Sequence, residues 1–191
     1  MTYITTYTDD TSHWKAWYNA YRFGILLIYP PEPLRSLVNA LREAYDPKSR
    51  AICDAHISLT VPLPRGLTES DCEALESITA THQTFSIRYG PLRHYLPAPG
   101  VCLRIEPEDT LDRLRRSLEA ASCFSGAMPR PYPFSPHMTI TEYVTVDETA
   151  ALMAELRESA PEGEFRCSSV SLAVPDVRFH FDERRRFALA Q

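Results

Sequence analysis

Short apolar runs and helically spaced apolar positions alternate along the chain. Residues 22–29 form an aliphatic run that ends at two prolines, which is typical of a buried strand. Residues 31–45 follow with apolar side chains at helical spacing, at Leu34, Leu37, Val38, Leu41 and Tyr45. The pattern therefore predicts a strand followed by a helix.

The rest of the first half continues this alternation. Residues 55–63 and 84–95 predict two further strands, and residues 67–80 between them predict a helix. Thr68 is the expected N-cap of that helix, with Asp71 three residues later in the position of the usual capping-box glutamate. The first half thus contains strand, helix, strand, helix, strand.

The second half repeats this order of elements. It predicts, in turn, a strand at 101–107, a helix at 108–121, a proline-rich loop at 126–136, a strand at 137–144, a helix at 147–159 and two strands at 165–176 and 178–190. The last two strands are expected to form a hairpin that turns near Pro175 and Asp176. A repeat of about half the chain indicates two related lobes.

A short motif occupies the same strand in each half. The strings AHISLT (residues 55–60) and PHMTIT (residues 136–141) both contain histidine, apolar, hydroxyl, apolar, hydroxyl. Side chains in a strand alternate between its two faces. One face of each strand therefore carries a histidine and hydroxyls, which are His56, Ser58 and Thr60 in the first copy and His137, Thr139 and Thr141 in the second.

Two such strands side by side would line one groove with two imidazoles and several hydroxyls. Histidine titrates near pH 6.5, so one ring can be neutral while the other is protonated. The neutral ring can accept a proton and the charged ring can donate one, each contributing about 10²–10⁴ in rate. The hydroxyls can hold phosphate oxygens, so the pattern favours acid–base chemistry at phosphorus without a metal.

The paired strings HISL (residues 56–59) and HMTI (residues 137–140) resemble the motifs of the two-histidine (2H) phosphoesterase superfamily. This group includes bacterial 2′-5′ RNA ligase-like proteins and 2′,3′-cyclic nucleotide phosphodiesterases. The resemblance implies a bilobal α+β fold with two pseudo-symmetric lobes, each with an antiparallel sheet and helices, around a central cleft. One domain would span residues 1–191, with lobes at roughly 18–96 and 97–191.

The resemblance also implies a function. It implies metal-independent hydrolysis or reversible ligation of cyclic or 2′-linked phosphates, with His56 and His137 as the acid–base pair. Ser58 and Thr139 would bind the phosphate, and strand geometry alone adds Thr60 and Thr141. The expected ligand is a nucleotide or short RNA terminus with a cyclic or 2′-linked phosphate, with no cofactor and no metal. The alternative is a binding module that keeps the groove but has little catalytic activity.

Several residues near the second motif are further candidates for contact with a nucleotide. Tyr143 extends the histidine face, and Tyr132 and Phe134 lie in the preceding loop. These aromatic side chains could stack on a base, or they could cap the edge of the core. Arg130 in the same loop could contact a phosphate.

Charge and composition limit the kind of partner. The formal net charge is −5, whereas proteins that bind long nucleic acids usually carry a basic surface. We therefore expect a nucleotide or an RNA end, and no long duplex. The chain has no apolar stretch of membrane-spanning length and no secretory pattern at the N-terminus, so no membrane association and a cytoplasmic location are expected.

The sequence also allows metal sites and a cysteine nucleophile to be weighed as alternatives. The five cysteines are scattered and form no CxxC pair, which argues against a disulfide framework or a structural zinc site. A metal held by the two histidines would need another ligand, for which Asp54 is the candidate. Cys53 is expected to face away from His56 on the same strand, which disfavours a thiol nucleophile. Residues 1–17 form an N-terminal extension that could pack against a lobe through Trp14 and Trp17 or be mobile.

Overall fold

A computed structural model of the protein describes residues 2–95 and 98–191. In these ranges the strands are β1 (Ile25–Ile28), β2 (Ile57–Ser58), β3 (Phe85–His94), β4 (Val101–Glu106), β5 (His137–Thr141), β6 (Gly163–Cys167), β7 (Ser169–Pro175) and β8 (Phe181–Ala188). The α-helices are α1 (Leu34–Tyr45), α2 (Pro47–Ile52), α3 (Glu69–Thr79), α4 (Glu108–Glu119) and α5 (Val146–Leu156). Short 3₁₀ helices occur at Ala16–Tyr21 and Ser122–Phe124. None of the helices in the described residues has the length and apolar character needed to cross a membrane.

The helix boundaries follow from local capping chemistry. The backbone N–H of Thr68 donates to Asp71 Oδ2 at 2.9 Å, and Asp71 N–H donates to the Thr68 hydroxyl at 3.3 Å, so the predicted capping box is confirmed. The short helix α2 was not predicted from the apolar pattern, because a helix of this length has no extended apolar stripe. It begins with Pro47, and the Asp46 carboxylate caps it by accepting from the backbone of Ser49 at 3.1 Å.

All eight strands described belong to one antiparallel sheet with the order β6-β3-β4-β5-β2-β1-β7-β8. The predicted α+β class is confirmed. The two expected sheets are continuous, because β2 pairs with β5 at the centre, where Ile57 lies opposite Met138. This central pair brings the two histidine strands side by side.

Each half of the sheet takes strands from both halves of the chain. In one half β3 lies between β4 and β6, and in the other β7 lies between β1 and β8. β3 has therefore moved to the half of the sheet that contains β4 and β5, and β7 to the half that contains β1 and β2, whereas β6 stays with β4 and β5. The lobe boundary expected between residues 96 and 97 falls outside the described residues, so the division of the chain into lobes stays a prediction.

The segment 165–176, expected to be one strand, forms two strands separated only by Ser168. β6 pairs with β3 at one edge of the sheet, whereas β7 pairs with β1 near the other edge. A single residue spans no more than about 3.6 Å, so the sheet must curl until its two ends approach each other. A bridge between Gln83 and Ala190 links the same two ends. The predicted hairpin of β7 and β8 is confirmed, with Pro175 opposite Phe181.

The two faces of the sheet bury different clusters. The larger cluster packs the sheet against the helices and contains the apolar residues of both motifs, Ile57, Leu59, Met138 and Ile140, each with no exposed surface. The smaller cluster lies on the other face of β1 and contains Trp14, Ile25, Leu27, Cys53, Ala173, Phe179 and Phe181. β1 is consequently buried on both faces, and its second face adjoins the histidine side of the sheet.

The N-terminal extension is fixed to the body of the protein. The Trp14 indole is buried and donates from Nε1 to the Val177 carbonyl at 2.9 Å. The Tyr7 hydroxyl accepts from the backbone N–H of Leu67 at 2.9 Å. Because Val177 lies in the turn between β7 and β8, the extension is anchored at that end of the sheet.

Candidate active site

The four central residues of the two motifs face one cavity. His56, Ser58, His137 and Thr139 all line a cavity of about 150 Å³. With Ile57 opposite Met138, the antiparallel register sets the histidine of each strand beside the hydroxyl residue of the other. The predicted alternation is confirmed here, because the intervening apolar residues point into the core on the other side.

Both imidazoles are oriented in the same way by a backbone carbonyl two residues earlier. His56 Nδ1 lies 2.7 Å from the Asp54 carbonyl oxygen, and His137 Nδ1 lies 2.7 Å from the Ser135 carbonyl oxygen. A carbonyl only accepts, so each Nδ1 carries the hydrogen and donates it. Nε2 is then the ring nitrogen left for a ligand, as a base when the ring is neutral and an acid when it is charged.

The surroundings of both histidines favour the neutral ring in the absence of an anion. Burial and, to a smaller extent, the Arg42 cation lower the pKa of His56 to about 4, while the hydrogen bond to Asp54 opposes the change. Burial also lowers the pKa of His137, with the cations of Arg93 and Arg130 acting in the same direction. An anionic phosphate between the rings would favour protonation, so a ligand can supply the charge that one ring needs.

Arg42 is a buried cation in the wall of this cavity, and the sequence reasoning missed it. Its side chain is 2% exposed, and it donates to the carbonyls of Thr139 and Ser49 at 2.8 Å each and of Cys53 at 3.0 Å. These bonds tie α1 and α2 to the strand that carries His137. The available signal was its spacing, because Arg42 continues the buried face of α1 that begins with Leu34 and Val38.

A second buried group holds the end of β5 against the same helices. Asp46 accepts from the backbone N–H groups of Glu142 at 2.8 Å and Tyr143 at 3.0 Å. The Ser49 hydroxyl donates to Glu142 at 2.9 Å, and burial raises the pKa of the Glu142 carboxyl. Glu142 and Tyr143 both line the cavity, so this network fixes the wall on the far side of the histidines.

The Thr60 and Thr141 hydroxyls have backbone partners, and Thr60 also lines a second cavity beside the first, so their contact with a phosphate stays a prediction. Each strand bulges after its first hydroxyl residue: in β2 the N–H groups of Leu59 and Thr60 both donate to the Leu26 carbonyl, and in β5 the register with β4 shifts. The bulge interrupts the alternation, and both threonines are buried, with 2% and 0% of their surface exposed. The Thr60 hydroxyl accepts from Leu26 N–H and that of Thr141 from Val101 N–H, each at 3.1 Å.

A larger cavity of about 670 Å³ adjoins the first, and five residues line both: Tyr21, Ile25, Ser58, Tyr95 and His137. We call it the basic arm, because Arg93, His94 and Arg130 line it. We call the smaller cavity the aromatic arm, because its lining includes Trp17, Tyr21, Tyr95, Tyr143, Phe179 and Phe181. The histidine pair thus lies where two chemically different arms meet.

The four residues proposed near the second motif are divided between these arms and the core. Tyr143 lines the aromatic arm, while Tyr132, 61% exposed, and Arg130 line the basic arm. Arg130 also donates to the Leu59 carbonyl at 3.0 Å and to Glu119 at 3.3 Å. Phe134 packs against the larger core with the Arg130 guanidinium 5.2 Å from its ring centre, which matches the core-capping interpretation.

The geometry bears on the metal and thiol alternatives as well. Asp54 is paired with Arg50 at 2.7 Å, and residues 2–95 and 98–191 contain no group of three or more metal-ligating side chains. The expectation that Cys53 faces away from His56 is wrong, because Cys53 ends α2 and lies in the same cavity wall. Burial raises the pKa of the Cys53 thiol to about 12, so the thiol stays protonated at neutral pH.

The sequence of this chain is similar to a known family. A model of the 2′-5′ RNA ligase superfamily matches residues 30–178, which include both histidine motifs. A protein of Bacillus cytotoxicus with the name "putative phosphoesterase" is 26% identical over 135 residues, covering 69% of this chain and 76% of its own. A protein of the same name from Geobacillus kaustophilus is 27% identical over 139 residues, covering 71% of this chain and 78% of its own.

The fold is similar to solved structures. E. coli LigT, crystallised with 3′-AMP, matches with a TM-score of 0.59 at 19% identity, covering 87% of this chain and 97% of its own. A protein of Thermus thermophilus matches with a TM-score of 0.58 at 18% identity, covering 86% of this chain and 96% of its own. At these identities the likeness shows a common fold.

Proposed function

The chain belongs to the 2′-5′ RNA ligase superfamily, and we propose that it hydrolyses 2′,3′-cyclic phosphates or 2′-5′ phosphodiester bonds of nucleotides and RNA ends. The observation that carries this proposal is the arrangement of the two histidines. Each donates from Nδ1 to a carbonyl two residues earlier, which leaves both Nε2 atoms for one ligand in the shared cavity.

The proposed step is an in-line attack of water on phosphorus. A neutral imidazole takes a proton from the water as its oxygen bonds to phosphorus, and the protonated imidazole gives its proton to the leaving ribose oxygen as the P–O bond breaks. From a 2′,3′-cyclic phosphate the product is a nucleoside monophosphate with a free hydroxyl, whereas a 2′-5′ linkage is split into one part that keeps the phosphate and one part with the freed hydroxyl. The two rings have then exchanged protonation states, which proton exchange with water reverses.

The hydroxyls of Ser58 and Thr139 are proposed to hold the non-bridging oxygens of the phosphate. Both line the cavity with the histidines, and each can donate one hydrogen bond. The nearby guanidinium of Arg42 adds positive charge in a buried site, where electrostatic stabilisation of developing charge is strongest. No residue in this scheme requires a metal ion.

A nucleotide is the proposed class of substrate. Structures of E. coli LigT, which shares this fold, were solved with 3′-AMP, ATP and NADP⁺. The basic arm next to His137 carries Arg93 and Arg130, which suits further phosphates of an RNA end. The net charge of −5 fits a short nucleic acid better than a long duplex.

The test is turnover of 2′,3′-cyclic AMP and of a 2′-5′-linked dinucleotide by the purified protein in EDTA. We expect hydrolysis of at least one of them, and loss of that activity in His56→Ala and in His137→Ala. Full activity in the double variant, or activity only after metal is added, would contradict the proposal. Tight binding of the nucleotide without hydrolysis would instead favour the alternative, a binding module for nucleotides or RNA ends.

A further inference from the structure

The aromatic wall of the active-site cavity comes from parts of the chain outside the family match. That match covers residues 30–178, whereas Trp17 and Tyr21 precede it and Phe179 and Phe181 follow it. All four line the aromatic arm together with His56 and Thr139. The N-terminal segment and the β7–β8 turn therefore add a surface to the site that the family pattern does not include.

The two tryptophans of the N-terminal segment have different surroundings. Trp14 is 8% exposed and donates a hydrogen bond to the Val177 carbonyl, so it anchors the segment. Trp17 is 52% exposed although it lines the cavity. A large apolar ring left half exposed at the mouth of a polar site has surface available for a ligand.

The orientation of Trp17 is nevertheless fixed. Its ring is nearly perpendicular to those of Tyr18, Tyr21 and Phe179, with centroid distances of 4.3, 6.1 and 6.1 Å. Tyr18 in turn stacks on Phe179 at 3.5 Å. Phe179 has a φ of +65°, a backbone conformation that bulky residues rarely adopt, and this places its ring among those of the N-terminal segment.

We propose that Trp17 is a stacking platform for the nucleobase of the nucleotide whose phosphate lies between His56 and His137. This inference rests on the proposed nucleotide site. Trp17 combines exposed ring surface, a fixed orientation and a position in the same cavity as the histidines. Stacking on an aromatic ring accepts any base, so Trp17 selects ligands that carry a base over phosphates that lack one.

Tyr132 is the competing platform. It is 61% exposed and lies in the basic arm, on the other side of the histidine pair. It belongs to a loop that also carries the phosphate-compatible side chain of Arg130. Trp17 is favoured because three neighbouring rings fix its orientation. Among the aromatic contacts of the described residues, none involves Tyr132.

The test measures binding, so it does not depend on turnover. Calorimetry compares the affinity for 3′-AMP with that for methyl ribofuranoside 3-phosphate, which lacks a base. We expect Trp17→Ala to weaken 3′-AMP binding by about 5- to 140-fold, the value of one stacked base, and to leave the base-free phosphate unchanged. Trp17→Phe should keep most of the affinity for 3′-AMP, because a ring remains. Leu37→Ala, which removes an equally exposed apolar side chain outside both arms, should change neither affinity.

Three outcomes would overturn the inference. The first is equal weakening of both ligands in Trp17→Ala or no weakening of either. The second is a loss of base discrimination in Tyr132→Ala in place of Trp17→Ala. The third is wild-type protein that does not bind 3′-AMP. Failure of the proposed function is recognised separately, as absence of hydrolysis in EDTA by wild-type protein that still discriminates the two ligands.

Discussion

The strands β2 and β5 carry the same motif but hold it in different surroundings. Both fix the histidine Nδ1 on a carbonyl two residues earlier, and both bury a threonine at a bulge. His56, however, lies near the buried cation of Arg42, while the ring of His137 packs against Tyr95 with centroids 4.7 Å apart. The copies thus differ in the elements packed behind them.

The comparison separates the features that both copies of the motif share from those that differ between the copies. Ring orientation and the bulge depend on backbone geometry within a few residues, so they recur in both copies. The charges near each ring come from different elements, since Arg42 near His56 lies on α1, whereas Arg130 near His137 lies on a loop. The two identical side chains therefore titrate in different surroundings, which suits the different roles of an acid and a base.

The largest expected effect separates the two histidines by role. His56→Ala and His137→Ala should each lower kcat for 2′,3′-cyclic AMP by about 10²–10⁴. With a p-nitrophenyl phosphodiester, whose leaving group needs no proton, the variant that lacks the acid should recover most of this loss. Steady-state kinetics on both substrates measures the difference. Equal impairment of the two variants on both substrates would mean that the copies are not specialised.

The next effect concerns the buried cation near His56. Arg42→Met should lower the free energy of unfolding by about 3–5 kcal/mol, because the carbonyls of Ser49, Cys53 and Thr139 lose their donor. It should also raise the pKa of His56, since a nearby positive charge is removed. Urea unfolding and NMR titration of the imidazole measure the two changes.

Arg93→Met is the matched control for this prediction. Arg93 lowers the pKa of His137, so its removal should raise that pKa and leave the pKa of His56 in place. A change at both rings in either variant would show that the two surroundings are not independent.

A smaller effect distinguishes the two hydroxyl positions of each motif. Thr60→Val and Thr141→Val should each lower the free energy of unfolding by about 1–3 kcal/mol, because a buried N–H loses its acceptor. Ser58→Ala and Thr139→Ala should instead lower kcat/KM by about 10- to 100-fold with little change in stability. Denaturant unfolding and kinetics on all four variants test this. Similar effects at all four positions would contradict the distinction.

The smallest expected effect is the change of kcat/KM with pH. The proposed mechanism needs one neutral and one protonated imidazole in the free protein, so kcat/KM should follow a bell-shaped curve. The pKa values of both rings are lowered, that of His56 to about 4, and the maximum should therefore lie between about pH 4 and 6.5. A flat profile from pH 5 to 9, with chemistry rate-limiting, would contradict the acid–base pair.

The free energy of unfolding should also depend on pH through the two histidines. A histidine whose pKa is lowered in the folded state stabilises the fold fully above the unfolded value near 6.5. This contribution is lost as the pH falls from about 6.5 towards about 4, because the unfolded chain then binds the proton more readily. The midpoint of urea unfolding at pH 7 and pH 5 measures it, and His56→Gln should reduce the difference between the two midpoints.

The sequence by itself determined the order of most elements, the family and the four central residues of the site. Alternation along a strand is a local property, so His56 and Ser58 could be assigned to one face before any partner strand was known. The same holds for His137 and Thr139. The helix α2 was missed because a helix of 6 residues is too short to show a periodic pattern of apolar side chains.

Only the tertiary structure decided what surrounds these four residues. The bulges at which Thr60 and Thr141 are buried depend on the neighbouring strands, so alternation within one strand could not reveal them. The burial of Arg42 depends on carbonyls far away in the chain, and the aromatic arm combines the N-terminal segment with the β7–β8 turn. These features arise where distant segments meet, because charge, burial and cavity shape are properties of contacts between segments.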